Sequence, residues 1–235
     1  AFDGLIPIGH GQREALMGDP RSGKTTAALT ILQCQAITDP MSQLFYISVG
    51  QSISQLALIM SSLRERACLS NATVIATCAS DPIVLTVLIP PAESAIAERH
   101  VRKGSKVLII YDYLIKHAEA YRELCTVLRR APGREGYPSD LFFKHSKLLE
   151  RAGAFKLQIS EQYKQLGSIT AIPIVDVENG DLTSYLPTNI VSITDGQAIL
   201  STELFSSGFR PALDKGVSVS RLGSVVQPRI LRSVS

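Results

Sequence analysis

The chain has 235 residues, of which 45% are hydrophobic and 19% charged, and its formal net charge is +3. This length and balance describe a folded chain able to bury a large core and exclude a disordered segment. The charge is mild and the basic residues are scattered, which argues against a nucleic-acid partner, and no run approaches the roughly 18 apolar residues of a membrane span.

Strand-like apolar runs alternate with helical ones along the chain. Residues 13–17 read as a strand ending in a Gly-rich turn, and residues 23–37 as the helix that follows. A second strand is expected over 44–49, then a helix over 53–68 with apolar positions three and four apart. Residues 73–78 alternate as a third strand, and Pro90 or Pro91 opens a helix reaching about residue 102. The continuous apolar run 107–111 ends on Asp112, as a buried central strand does, with a helix over 114–130 after it. Residues 131–140 form a Pro/Gly-rich break before a helix over 140–151, and 153–167 is polar without a defined element. A further strand is expected over 169–175, and short late elements over 188–193 and 198–200. The pattern predicts an α/β fold with a mostly parallel sheet flanked by helices. No internal repeat, low-complexity tract or linker divides residues 1–235, so a single domain is expected. The chain carries no signal peptide and does not begin with Met, so its true N-terminus is expected to be missing or processed. Cys34, Cys68, Cys78 and Cys125 have no CxxC spacing and no paired His, which reads as buried free thiols of a reducing compartment.

The strongest local signal is Gly18-Asp19-Pro20-Arg21-Ser22-Gly23-Lys24-Thr25, a complete GxxxxGK[ST] phosphate loop between an apolar strand and a helix. Small residues let backbone N–H groups curl around a phosphate, and the following helix aims its positive end at the same place. Lys24 is placed to reach the β- and γ-phosphates, and the Thr25 hydroxyl to ligate Mg²⁺. Arg21, Ser22, Gly23, Lys24, Thr25 and Thr26 are the nucleotide-binding candidates of this segment. The strand 107–111 ending on Asp112 has the Walker-B arrangement, in which an acid at a strand's carboxyl end holds Mg²⁺ through water. An Asp there also serves many parallel strands as a turn or helix cap, so the two markers together count for more than either alone.

Beyond these markers, five blocks resemble one family: residues 7–14 (PIGHGQRE), 131–138 (APGREGYP), 145–152 (HSKLLERA), 187–197 (PTNIVSITDGQ) and 218–224 (SVSRLGS). They are collinear, over essentially the whole chain, with the α-subunits of rotary F-type ATP synthases. The resemblance implies the α/β fold of P-loop NTPases of the RecA-like type. It also implies ATP or ADP with Mg²⁺ as cofactors. As partners it implies catalytic β-type subunits alternating in a hexameric ring, a central stalk and a peripheral stalk. The membrane is then reached only through the rest of the complex, on the matrix side of the mitochondrial inner membrane, with plastid thylakoid or bacterial inner membrane as alternatives. The family's N-terminal β-barrel and C-terminal helical domain are not in this sequence.

The resemblance also assigns roles. Catalytic β-subunits carry a Glu after the second strand to activate water; Gln51 stands here, as in α-subunits, and a neutral amide cannot take the proton. Arg221, within SVSRLGS, is implied to act in trans on charge at the neighbour's catalytic site. Arg210 and Pro211 match a segment near the adenine, or else pack their own loop. Departures are Pro20, Arg21 and Ser22 in the phosphate loop, Tyr113 in place of a second acid, and no basic residues over 53–58. Pro20 removes one backbone donor. Two other readings stand beside the non-catalytic subunit: an active ATPase of a related hexameric motor, and a structural ring subunit with a degenerated site.

Overall fold

The computed structural model describes residues 2–65, 71–158, 164–177 and 180–227. In chain order these form α1 (Phe2–Leu5), β1 (Ala15–Gly18), α2 (Lys24–Thr38), β2 (Gln43–Gln51), α3 (Ile53–Glu65) and β3 (Ala72–Cys78). Then come α4 (Ile83–Val101), β4 (Lys106–Asp112), α5 (Leu114–Val127), a 3₁₀ turn at Arg134–Gly136, α6 (Leu141–Leu149), β5 (Gly153–Gln158) and β6 (Lys164–Asp176). The last elements are α7 (Tyr185–Ile193), β7 (Gly196–Leu200), α8 (Thr202–Ser206), β8 (Val219–Ser220) and α9 (Gly223–Val226).

Six strands run parallel in the order β3-β2-β4-β6-β1-β7, with β8 antiparallel at the β7 edge and β5 antiparallel on β6. Successive strand side chains face opposite ways, so each strand feeds two cores. Ala15, Met17, Phe45, Ile47, Ile109 and Tyr111 pack under α4, α5, α6 and α7. Their alternates Leu16, Leu44, Tyr46, Leu108 and Ile110 pack under α2 and α3. Because β1, β2, β4, β6 and β7 are mutually parallel, their carboxyl ends share one rim, and the candidate site lies there.

Three expectations need correction. Residues 153–167 were expected to be without an element, yet Gly153–Gln158 pairs antiparallel with Lys164–Ile169. This arm is held by backbone pairing and leaves Phe155 and Leu166 exposed, so it has no burial pattern to read. The helix expected to open at Pro90 or Pro91 is α4, which begins at Ile83 and carries both prolines inside. Pro91 has no N–H for the Val87 carbonyl. That oxygen lies 3.3 Å from His117 Nε2 instead, which offsets the lost helical bond. The cysteines differ too: Cys125 is buried, but Cys34 is exposed and Cys78 half-buried, all three free, while Cys68 lies outside the described residues.

The His117 contact fixes a proton arrangement. A carbonyl only accepts, so His117 Nε2 carries the hydrogen and its Nδ1 accepts from His145 Nε2 at 3.2 Å. His145 Nδ1 is buried without a partner among the described residues. Burial pushes His117 down to about 4 and His145 to about 3, the latter helped by the charge of the former. A base with a depressed folded-state pKa contributes its full stability above the unfolded value, about 6.5, and loses it as the pH falls toward the folded value. The unfolding free energy from denaturant melts is therefore expected to fall from pH 6.5 to pH 4, by at most about 1.4 kcal/mol per pH unit for each histidine. His145→Leu is expected to make the fall shallower; an unchanged slope rejects the assignment.

Candidate nucleotide site

The four buried residues of β1 deliver the chain into the phosphate loop at the sheet rim. Gly18 is required by crowding: a Cβ there would lie 2.4 Å from the Leu200 carbonyl oxygen and 2.9 Å from Ser22 Oγ. Arg21 and Gly23 turn the chain through left-handed conformations, φ 66° and 95°. Gly23 precedes α2 and no side chain caps that helix, so its first-turn N–H groups are left to the loop and to an anion there. The Asp19 carboxylate ties the loop to its surroundings, accepting from Gly180 N at 2.9 Å and Thr202 Oγ1 at 3.0 Å.

Lys24 is 5% exposed. Its Nζ donates to the carbonyls of Gly18, at 2.8 Å, and Asp19, and pairs with Asp176 Oδ1 at 2.9 Å. Asp176 closes β6, the strand between β1 and β4. A cavity of about 950 Å³ opens beside these groups. Arg21, Ser22, Gly23, Lys24, Thr25 and Thr26 line it together with Tyr113, Asp176, Arg210 and Pro211. Arg210 is committed to its own loop: Cζ lies 3.4 Å from the Phe205 ring centroid, and Nη1 donates to the Phe205 and Phe209 carbonyls at 2.6 and 2.8 Å. The Arg210–Pro211 peptide is cis.

Gln51 and Asp112 lie together but behind the cavity wall. Asp112 is fully buried; its Oδ2 accepts from Gln51 Nε2 at 2.7 Å and from the Tyr46 hydroxyl. Burial pushes the Asp112 carboxyl up, against the pull of both donors. Asp112 Oδ1, Gln51 Oε1 and Ser48 Oγ are buried and without partners among the described residues. Unpartnered oxygens lie at the ends of β2 and β4, and the Asp176 carboxylate acts on Asp112 through its charge; oxygens of this kind are what hydrated Mg²⁺ favours. The residues present thus fit the ion.

Arg221 is not part of this rim. It follows β8, whose pairing with Gly196 and Gln197 puts it at the amino-terminal end of the parallel strands, exposed to solvent. Sequence reasoning passed over Asp176, although it closes an apolar strand just as Asp112 does. It also passed over Phe205, whose partner Arg210 is distant from the loop in sequence.

The domain family described as ATP synthase alpha/beta family, nucleotide-binding domain, matches residues 1–220. The chain belongs to the ATP synthase α/β family. "ATP synthase subunit alpha" of Dictyoglomus thermophilum is 46% identical over 235 residues, covering 100% of this chain and 45% of the relative. The protein of the same name from Dictyoglomus turgidum is 45% identical over 234 residues, again with 100% and 45% covered. The chain thus spans under half the length of these relatives. The mostly parallel α/β sheet around a phosphate loop agrees with the P-loop NTPase fold expected of the family.

Gln51→Glu puts a second carboxyl at hydrogen-bonding distance from that of Asp112, where the two must share a proton. A destabilisation of about 1–3 kcal/mol is expected at pH 8. It should shrink as the pH falls to 5, because the folded pair then holds the proton the unfolded chain has lost. Denaturant melts at both pH values check this; an equal loss at both rejects it.

Proposed function

We propose that this chain is the nucleotide-holding domain of an α-type subunit of a rotary F-type ATP synthase. It binds Mg–ATP or Mg–ADP without efficient hydrolysis, and it lends Arg221 to the catalytic site of an adjacent β-type subunit during proton-driven ATP synthesis. The observation that carries the reading is the amide at the end of β2. Gln51 spends its Nε2 on Asp112, and its remaining oxygen can orient a water but cannot accept a proton at neutral pH. General-base assistance of the order of 10²–10⁴-fold is therefore not available from that position. An active motor ATPase needs a carboxylate there, so this alternative is set aside.

In this reading Lys24 and the first-turn N–H groups of α2 hold the phosphates, with Arg21, Ser22, Gly23 and Thr26 closing around them. Thr25 and, through water, Asp112 would hold Mg²⁺, which would neutralise phosphate charge when bound. Gln51 steadies Asp112, and Arg210 and Pro211 border the base. Residues 1–235 are taken as one domain, and the relatives' further length supports placing the β-barrel and helical domains outside this sequence. The partners are catalytic β-type subunits in an alternating ring, a central stalk and a peripheral stalk.

No helix among the described residues is long and apolar enough to cross a membrane. This is compatible with attachment through the rest of a membrane-bound complex. The two relatives are bacterial, which gives no support to the mitochondrial or plastid placement and favours the bacterial inner membrane.

Nucleotide extracted from the native complex is expected at this subunit, and Lys24→Gln is expected to abolish its retention. A complex whose wild-type subunit carries none supports the structural-subunit reading instead. Arg221→Ala is expected to lower turnover of the assembled enzyme by roughly 10³–10⁵-fold while nucleotide at this chain's own site stays bound. Unchanged turnover rejects the trans role.

A further inference from the structure

Arg221 has to leave the surface in a defined direction to serve a neighbouring site, yet the strand that delivers it is minimal. β8 meets β7 through two register pairs, Gly196↔Ser220 and Gln197↔Val219. Beneath it lies a polar system rooted in the segment that enters β1. Gln12 Nε2 donates to Ser220 Oγ at 2.9 Å and to Glu14 Oε2 at 2.8 Å, while Gln12 Oε1 accepts from Gly9 N at 2.9 Å. Ser220 Oγ in turn donates to the Pro7 carbonyl at 3.0 Å. Gln12 is 3% exposed and Glu14 1%. Burying an amide costs several kcal/mol unless its bonds are made, and here both N–H groups and the oxygen are engaged. Such an amide holds its neighbours in one arrangement where an apolar residue would only fill space.

The charges around Arg221 are arranged to leave it available. Its backbone N–H donates to the Asp195 carbonyl at 3.0 Å. The Asp195 carboxylate is already taken by Arg13, through Nε at 3.1 Å, Nη2 at 2.8 Å and the backbone N–H at 3.0 Å. The other acid whose field reaches Arg221 is Glu14, and burial raises its carboxyl to about 8, so it is largely uncharged at neutral pH. Among the described residues the Arg221 guanidinium has no hydrogen bond or ion pair. The packing is close: a Cβ on Gly196 would lie 2.4 Å from the Val219 carbonyl oxygen and 2.5 Å from Glu14 Oε2.

We propose that Gln12 and Glu14 are positioning residues for Arg221, a buried clamp that fixes β8 and leaves the guanidinium uncommitted for a phosphate on the neighbouring subunit. The proposal rests on the trans-arginine reading above. It names the residues that give that arginine its direction.

The test is a double-mutant cycle in the assembled enzyme. Gln12→Leu keeps the side-chain volume and removes the hydrogen bonds. It is expected to lower kcat about 10- to 100-fold, the cost of slight misplacement of a catalytic group. KM and the nucleotide held by this chain should be unchanged. In an Arg221→Ala background, single-turnover phosphate release should show no further loss from Gln12→Leu, because the clamp acts only through the arginine. Losses that multiply, or a Gln12→Leu enzyme with wild-type kcat, overturn the proposal. If Arg221→Ala alone has no effect, the trans-arginine reading fails instead, and the two failures are distinct. Should Gln12→Leu not assemble, Glu14→Asp decides: it draws the acceptor back from Gln12 by one methylene. A smaller loss in kcat, again absent beside Arg221→Ala, is expected; a loss that persists there overturns the proposal.

Discussion

The parallel pairing of β6, with β4 along one edge and β1 along the other, is the constraint on which the site depends. It sets the carboxyl ends of three segments, far apart in sequence, on one rim: Gly18 with its loop, Asp112 and Asp176. None of these residues does anything alone. A phosphate loop without an adjacent acid binds anions loosely, and an acid without the loop is a turn cap. Parallel strands require covered faces, and the division of alternating side chains between two cores supplies that cover.

Gln51 shows how one substitution type redirects a shared architecture. Its amide donates to a buried carboxylate that already accepts from Tyr46, so Asp112 is oriented by neutral donors. A glutamate at that place would compete with Asp112 for the same protons. In the proposed reading the chain keeps the groups that recognise a nucleotide and lacks the one that would consume it. At the other end of the sheet, the pairing of Asp195 with Arg13 plays a comparable part by neutralising one charge so that another stays available.

Much of this was legible in the sequence because it rests on local rules. The strand, loop and helix around Lys24 follow from apolar runs and glycine placement, and Asp112 from the strand it ends. The resemblance supplied Arg221, which no local rule distinguishes from other exposed arginines. What stayed hidden depends on partners distant in the chain. The β5–β6 arm is stabilised by backbone pairing and leaves no periodic trace. The start of α4 was misread because proline usually opens a helix; here His117, from another helix, takes up a carbonyl that Pro91 leaves without its helical donor. Asp176 looked like the end of a strand, and only its 2.9 Å contact with Lys24 gives it a role.

That contact has a thermodynamic meaning. Lys24 bonds two loop carbonyls and a carboxylate, so in the proposed reading a phosphate that reaches it enters an exchange. On that reading the loop would be its own competitor, and the affinity of the site a difference between two sets of bonds to the same ammonium group. The same lysine is the cross-link that holds β1, the loop and β6 together.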